Sequence, residues 1–144
     1  MTLTQALVRC PSVTPQEAGT LQLVGTLLSE AGFTLWRLPF GQVDNLYALR
    51  RGGPFHLMFA GHVDVVPVGE AAAWTHPPFG AEIHNGWLYG RGAEDMKGNI
   101  AAALVAAQDY LAQESAPITL SFLLTSDEEG PAIDGTRRVV DWLK

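Results

Sequence analysis

The chain has 144 residues, of which 47% are hydrophobic and 17% are charged, a composition that suits one globular domain or part of a larger one. Its apolar runs are too short to cross a bilayer and its start lacks the pattern of a secretory signal, so we expect no membrane contact. A formal net charge of −6 with scattered basic residues argues against nucleic acid as a partner, and a single cysteine fits a reducing compartment, so we expect a cytoplasmic protein.

The first strong helical signal lies near Thr14. Thr14, Pro15 and Glu17 stand where an N-cap, a first helical residue and the acidic member of a capping box are expected. The apolar residues that follow recur at helical spacing, and Gly32 supplies a stop. The sequence therefore predicts an amphipathic helix, whose apolar face comprises Leu21, Val24, Leu27 and Leu28.

Three short segments then have the composition of strands. Residues 33–38 and 45–50 are rich in aromatic and aliphatic side chains and have polar residues between them, which predicts two neighbouring strands. Residues 56–60 form an apolar run that ends at Gly61 and His62. Such a run is typical of a buried central strand.

The second half of the chain alternates strands and helices. Segments 81–83 and 87–89 flank an Asn-Gly pair and predict a hairpin. An alanine-rich helix is predicted over 96–113, a second buried strand over 118–124 and a further helix over 136–143. This alternation predicts a doubly wound α/β layer, a sheet with flanking helices. Because the last helical pattern has neither a cap nor a following strand, we expect the chain to be part of a larger domain.

The segment after the 56–60 strand carries an imidazole and a carboxylate two residues apart. His62 and Asp64, in the sequence GHVDVVP, point to the same side of an extended chain. A carboxylate that holds one imidazole N–H leaves the other ring nitrogen free for a metal. An isolated pair of this kind is more often a structural contact, so both interpretations stay open for it.

Two further acidic groups follow predicted elements. Asp95 lies at the entrance to the alanine-rich helix, where it suits either a metal ligand or a helix N-cap. Asp127, Glu128 and Glu129 belong to the segment TSDEEGPAIDG, which comes directly after the 118–124 strand, and they repel one another unless a cation or solvent screens them. A solvated acidic turn is the alternative for this second group.

The joint occurrence of these groups favours a metal site over the separate structural interpretations. In open α/β sheets, sites collect beyond the carboxyl ends of the strands. One imidazole with several carboxylates is a ligand set suited to zinc or a similar divalent ion. Two ions that share a carboxylate would polarise a carbonyl and lower the pKa of a water molecule, leaving a neighbouring carboxylate to act as base.

Four longer segments carry a resemblance to a known family. They are GHVDVVP, WTHPPF, GWLYGRGAEDMKGNIAA and TSDEEGPAIDGT, and together they resemble the di-zinc amide hydrolases that include aminoacylase, carboxypeptidase G and acetylornithine deacetylase. The similarity runs over essentially the whole chain, and the last segment favours the desuccinylase branch. The resemblance implies an exopeptidase-like α/β catalytic domain that removes succinate from N-succinyl-LL-2,6-diaminopimelate, a step of lysine and diaminopimelate biosynthesis.

The resemblance also implies a role for each candidate residue. His62 would bind one metal ion, Asp64 would hold its imidazole, and Asp95 would bridge two ions. Glu128 would act as general base, and Glu129 would bind the second ion. The ions are expected to be zinc, with cobalt or manganese suited to the same ligands. In the family the peptide bond that follows the bridging aspartate is cis, so a cis bond is predicted after Asp95.

Family members take further metal ligands, a carboxylate and a distant histidine, from beyond the region that this chain matches. We therefore expect residues 1–144 to be the N-terminal part of a metallohydrolase catalytic domain, without its inserted dimerisation and lid domain and its C-terminal part. The chain alone is expected to bind metal weakly and to be inactive. The full-length parent is expected to be a homodimer that acts on a small N-acyl amino acid.

Two alternatives stand beside the desuccinylase. One is a deacylase or dipeptidase of the same family, and the other is a truncated domain that folds or binds a partner without catalysis. The remaining histidines, His56, His76 and His84, lie at a strand start, before two prolines and in a hairpin turn. We interpret them as surface or packing residues.

Overall fold

Helices and strands follow one another in an order close to the predicted one. The computed structural model describes residues 2–113 and 117–144. Within these ranges no helix has both the length and the apolar character needed to cross a membrane. In chain order the elements are α1 (Leu3–Val8), α2 (Thr20–Glu30), β1 (Thr34–Arg37), β2 (Asn45–Arg50), β3 (His56–His62), β4 (Glu82–His84), β5 (Trp87–Tyr89), α3 (Gly98–Leu111), β6 (Thr119–Thr125) and α4 (Thr136–Leu143).

The main sheet has four strands in the order β1-β2-β6-β3, and β4 and β5 form a separate hairpin. β2 runs antiparallel to both β1 and β6, whereas β3 runs parallel to β6. The layered α/β fold is therefore confirmed, but the doubly wound arrangement holds only for the crossover from β3 through α3 to β6. The short connection between β1 and β2 leaves room for an antiparallel pair only, because parallel neighbours need a long crossover.

The sheet separates two apolar clusters, and β6 shows why. Its buried side chains alternate between the two faces, as the pleat of a strand requires. Leu120, Phe122 and Leu124 join the larger cluster, which includes buried residues of α1, α2 and α3. Leu123 lies in the smaller cluster with Tyr47 of β2 and Val139 of α4. α4 thus covers one face of the sheet, while the other three helices cover the opposite face.

β3 differs from its prediction. It lies at the edge of the described sheet, next to β6, and most of its residues are exposed, including Leu57 and Met58. The prediction of a buried central strand was wrong. An apolar run shows that a strand is suited to burial, but it does not show whether another element packs against that strand. Phe59 and Ala60 of β3 line an apolar cleft of about 400 Å³ against α3.

The start of α2 was also predicted wrongly. Val13 forms a bridge with Val65, and the Thr14 amide donates a hydrogen bond to the Val65 carbonyl. The chain then makes a turn at Thr14 and Pro15 instead of entering a helix. The helix begins only at Thr20. Glu17 nevertheless stabilises the helix start, because its carboxylate accepts a hydrogen bond from the Leu21 amide at 2.8 Å. A tertiary contact has overridden a local capping signal.

The hairpin and α3 are confirmed with small shifts in their bounds. β4 and β5 are joined by Asn85 and Gly86, which both have positive φ, at 50° and 82°. This is the backbone that an Asn-Gly turn favours. α3 begins at Gly98, two positions after the predicted start at residue 96, because an irregular turn over Ala93–Lys97 precedes it.

Candidate metal centre

The parallel pair of β3 and β6 brings the histidine and the acidic loop together. His62 and Thr125 end these two strands and lie opposite each other in the register. The loop that follows Thr125 therefore passes directly over His62. The turn before α3 reaches the same place, because Asp95 Oδ1 lies 3.1 Å from His62 Nε2. The three polar segments singled out in the sequence meet at this end of the sheet.

The ring of His62 is buried and held at both nitrogens. Nδ1 lies 3.0 Å from the Asp64 carbonyl oxygen and 3.6 Å from its carboxylate, while Nε2 faces Asp95 and Glu128. Burial alone lowers the pKa of His62, but the hydrogen bonds and charge of Asp64, with the charge of Glu128, raise that pKa to about 9. Without metal the ring is therefore an imidazolium near neutral pH. A metal ion bound at Nε2 would take the place of this proton.

Asp64 is fully buried and ties the histidine to the acidic loop. Its carboxylate accepts hydrogen bonds from the backbone amides of Glu128, at 3.2 and 3.3 Å, and of Glu129, at 3.1 Å. Burial by itself raises the pKa of the Asp64 carboxyl, but His62 and these two amides outweigh burial and hold the pKa below its usual value. Asp64 is thus an anion that fixes both His62 and the backbone that carries the glutamates.

Asp95 lies in the irregular turn before α3 and does not cap that helix. The first residues of α3 receive no side-chain capping bond, and the Asp95 carboxylate instead faces His62. Of the two interpretations offered by the sequence, the N-cap is therefore wrong. The peptide bond between Asp95 and Met96 is cis, as predicted. Asp95 is 77% exposed, so it stands at the mouth of the site.

The residues present fit a divalent metal ion. His62, Asp95 and Glu129 each offer one ligand atom, and these atoms lie within 4.8 Å of one another. One imidazole nitrogen with carboxylate oxygens is a donor set that zinc and related ions accept. Asp95 and Glu129 also line a cleft of about 450 Å³, together with Arg91 and Glu94. The cleft gives a small molecule access to the group.

The two glutamates of the loop differ in position. Glu128 is 58% exposed, and its Oε2 lies 3.7 Å from His62 Nε2. Glu129 is half-buried beside the cleft. Partial burial, with the nearby charges of Asp95 and Glu128, raises the pKa of Glu129, although the His62 charge opposes this. A cation beside Glu129 would remove the repulsion that raises this pKa.

Sequence reasoning did not predict the roles of two buried charged residues near the site, Asp127, which it grouped with the two glutamates, and Lys97, which it did not single out. Asp127 is buried, and its carboxylate accepts hydrogen bonds from the amides of Ala132 and Asp134, both at 3.1 Å. Asp127 thus stabilises the acidic loop through its backbone and is not one of the three residues that offer ligand atoms to a metal ion. Lys97 is fully buried, and its ammonium donates to the Cys10 carbonyl at 2.7 Å. Burial lowers the pKa of Lys97 to about 8, although nearby negative charge opposes this.

The raised pKa of His62 predicts a pH dependence for the metal-free chain. Its folded value of about 9 exceeds the unfolded value of about 6.5. The stabilisation from His62 is therefore fully present below about pH 6.5 and is lost as the pH rises through about 9. The difference in unfolding free energy between the chain and its His62→Ala variant, measured by urea denaturation with a chelator, should shrink over this range. A difference that grows with pH would contradict the assignment.

Gly92 allows the turn that carries Asp95 to pass close to Val65. Its φ is +76°, and a Cβ atom there would lie 2.5 Å from Val65 Cγ1. Gly69 has a similar φ of +70° but open space around it, so Gly69→Ala isolates the backbone strain, about 1–2 kcal/mol. Gly92→Ala should lower the free energy of unfolding by about 1–3 kcal/mol more than Gly69→Ala does, because its added methyl group also overpacks against Val65. Equal losses in urea denaturation would show that Val65 moves aside without cost.

Comparison with known sequences identifies relatives over nearly the whole chain. The chain is 54% identical to a succinyl-diaminopimelate desuccinylase of Rhodospirillum centenum, over 98% of this chain and 38% of that protein. It is 52% identical to the protein of the same name from Maricaulis maris, over 98% of this chain and 36% of that protein. The chain thus spans less than two-fifths of the length of these curated relatives.

Comparison with solved structures shows the same fold in more distant proteins. A metallo-carboxypeptidase of the M20 family from Sulfolobus solfataricus superposes with a TM-score of 0.82 at 23% identity, over 97% of this chain and 32% of that chain. Human carnosine dipeptidase 1 superposes with a TM-score of 0.79 at 23% identity, over 96% of this chain and 34% of that chain. A family model described as peptidase family M20/M25/M40 matches residues 58–144, which include all five candidate site residues. The chain belongs to the peptidase family M20/M25/M40.

Proposed function

We propose that this chain provides the first part of the catalytic domain of a metal-dependent amide hydrolase that removes succinate from N-succinyl-LL-2,6-diaminopimelate. One observation carries the proposal: His62, Asp95, Glu128 and Glu129 converge at the ends of β3 and β6 beside an open cleft. The name of the relatives that are about half identical in sequence supports the choice of substrate.

The proposed division of roles follows from the contacts of each side chain. His62 would hold one ion through Nε2, because its Nδ1 is engaged by Asp64. Asp95 would contribute to both ions, and Glu129 would hold the second. A pair of divalent ions bound here would polarise the amide carbonyl and lower the pKa of a water molecule. A dinuclear metal binding peptidase of the M20 family from Bacillus subtilis, with a TM-score of 0.62, supports two ions.

Glu128 is the proposed general base. It needs no metal contact to be held in place, because its backbone amide is fixed by Asp64. Its carboxylate is exposed beside His62 Nε2, where it would take a proton from water and return it to the departing amine. The cleft also contains Arg91, a partner for a carboxylate of the substrate.

We propose zinc as the resident ion, with cobalt or manganese as functional substitutes, because the mixed nitrogen and oxygen ligand set suits all three. The substrate would be a small N-acyl amino acid, and the full-length protein would be a cytoplasmic homodimer. An inserted dimerisation and lid domain and a C-terminal part would complete the ligands and cover β3. The exposed apolar residues of β3 and the cleft beside them support this division. The chain alone is expected to be inactive.

The test is an assay of the full-length protein with purified N-succinyl-diaminopimelate and, in parallel, with acetylornithine. Turnover of the first with release of succinate is expected. Turnover of acetylornithine alone would favour a deacetylase of the same family and end the substrate assignment. A full-length protein that binds two ions but hydrolyses neither compound, nor a panel of dipeptides, would favour a non-catalytic role.

A further inference from the structure

A second group of metal-ligating side chains lies on the β4–β5 hairpin. Glu82 and His84 are two residues apart on β4, so both side chains lie on the same face of the hairpin. His76, from the loop that precedes the hairpin, reaches the same face. His76 Nδ1 lies 2.9 Å from Glu82 Oε2, and His84 Nε2 lies 3.0 Å from the same oxygen. The group shares no residue with the centre at His62.

The spacing of these three atoms is close to that of ligands around one small ion. The ligand atoms of His76, Glu82 and His84 lie within 4.8 Å of one another. Ligands about 2.0–2.1 Å from a tetrahedral zinc ion are separated by roughly 3.3 Å. To seat an ion, the two histidine–glutamate contacts would lengthen by a few tenths of an ångström, and the two histidine nitrogens, which lie within 4.8 Å of each other, would settle at about the same separation. Two imidazoles and one carboxylate would leave a fourth position for water.

The group is also held in place by its neighbours. The His76 ring packs against both Tyr89 and His84, with ring centroids 4.2 and 4.3 Å away. Tyr89 is the cross-strand partner of Glu82, so the hairpin fixes both. His76 is mostly buried, whereas Glu82 and His84 are half-exposed, which leaves one side open to solvent. Hydrogen bonds to His84 and His76 lower the pKa of Glu82, so its carboxylate is an anion ready for a cation.

We propose that His76, Glu82 and His84 form a separate binding site for one borderline divalent ion such as Zn²⁺, which fastens the loop before β4 to the hairpin. Such an ion would stabilise the segment that leads through Gly90 to the turn carrying Asp95. The alternative, two histidines sharing one glutamate without metal, is a half-exposed ion pair that contributes little to stability.

The experiment measures zinc binding and thermal unfolding of the chain in an Asp95→Ala background, which removes a shared ligand of the main centre. Zinc chloride at about a hundredfold excess over its dissociation constant should raise the unfolding midpoint of Asp95→Ala by about 5–10 °C. The rise should vanish in Asp95→Ala/His84→Gln and in Asp95→Ala/Glu82→Gln. It should persist in Asp95→Ala/His56→Gln, a matched change of a histidine that contacts Ser121 instead.

Equilibrium dialysis of the otherwise unchanged chain against zinc chloride provides a second readout that does not depend on the Asp95 variant. His84→Gln should bind one zinc ion fewer per chain than the parent chain and His56→Gln. Unfolding in the presence of a chelator verifies that His84→Gln is folded. Zinc stoichiometry that is the same in folded His84→Gln and in the parent would overturn the proposal, and so would a midpoint of Asp95→Ala that zinc leaves unchanged.

Discussion

Replacing Glu128 with glutamine in the full-length protein is expected to lower kcat for succinate release by about 10³-fold. The side-chain amide of the Glu128→Gln variant cannot accept a proton from water, whereas the side chain keeps nearly the same shape. Because the loop backbone is fixed by Asp64, the fold and the metal content should not change. The measurement is steady-state kinetics on N-succinyl-diaminopimelate, with metal analysis of the same preparations.

The matched control for this change is Glu30→Gln. Glu30 is an exposed residue of the last turn of α2, far along the chain from the acidic loop. Its replacement makes the same change of charge, and kcat should stay within about twofold of the parent. If Glu128→Gln keeps kcat within about tenfold while Glu30→Gln is unaffected, Glu128 is not the base.

Replacing Asp64 with alanine is expected to lower the free energy of unfolding of the metal-free chain by about 3–5 kcal/mol near neutral pH. The change removes the anion that keeps the buried His62 ring protonated, and it deprives the amides of Glu128 and Glu129 of their acceptor. Zinc affinity at His62 should fall by about 10–100-fold, because the ring loses the contact that orients it. Urea denaturation with a chelator and zinc titration measure the two effects.

Asp109→Ala is the control for Asp64→Ala. Asp109 is exposed on α3, so its removal should change the unfolding free energy by no more than about 0.5 kcal/mol. Should Asp64→Ala be unfolded in buffer, Asp64→Asn keeps the volume of the side chain and supplies the comparison. A loss in Asp64→Ala no larger than in Asp109→Ala would show that the buried carboxylate is not needed to hold the loop.

The strands were predictable because their signals are local. β2 and β5 have the predicted bounds, and the Asn-Gly pair adopts the turn that its backbone preferences favour. The apolar run of β6 correctly indicated a buried strand. The equally apolar run of β3 did not, because hydrophobicity shows that a surface is suited to burial without showing what lies against it. The predicted start of helix α2 failed for a related reason, since the residues that locally resembled it pair with Val65 instead.

The residues of the site could be predicted where they lie at the ends of predicted strands. Residues that follow two parallel neighbouring strands must meet, and His62 and the acidic loop do so. The inward turn of Asp127 and the burial of Lys97 depend on partners that are distant in the chain or lie across a loop. The periodic pattern of apolar residues in a sequence does not indicate contacts of this kind. The approach of His76 to Glu82 was missed for the same reason, since it depends on the path of the loop between them.

The contacts of Asp64 also bear on protein engineering. Its carboxylate holds the backbone amides at positions 128 and 129, which every residue except proline possesses. The shape of this loop is therefore largely independent of which side chains it displays. Libraries that vary these two positions would place different side chains on the same loop backbone, whereas variation at Asp64 would change the conformation of that backbone. The side chains at positions 128 and 129 can therefore be exchanged without a change in the loop, whereas Asp64 cannot.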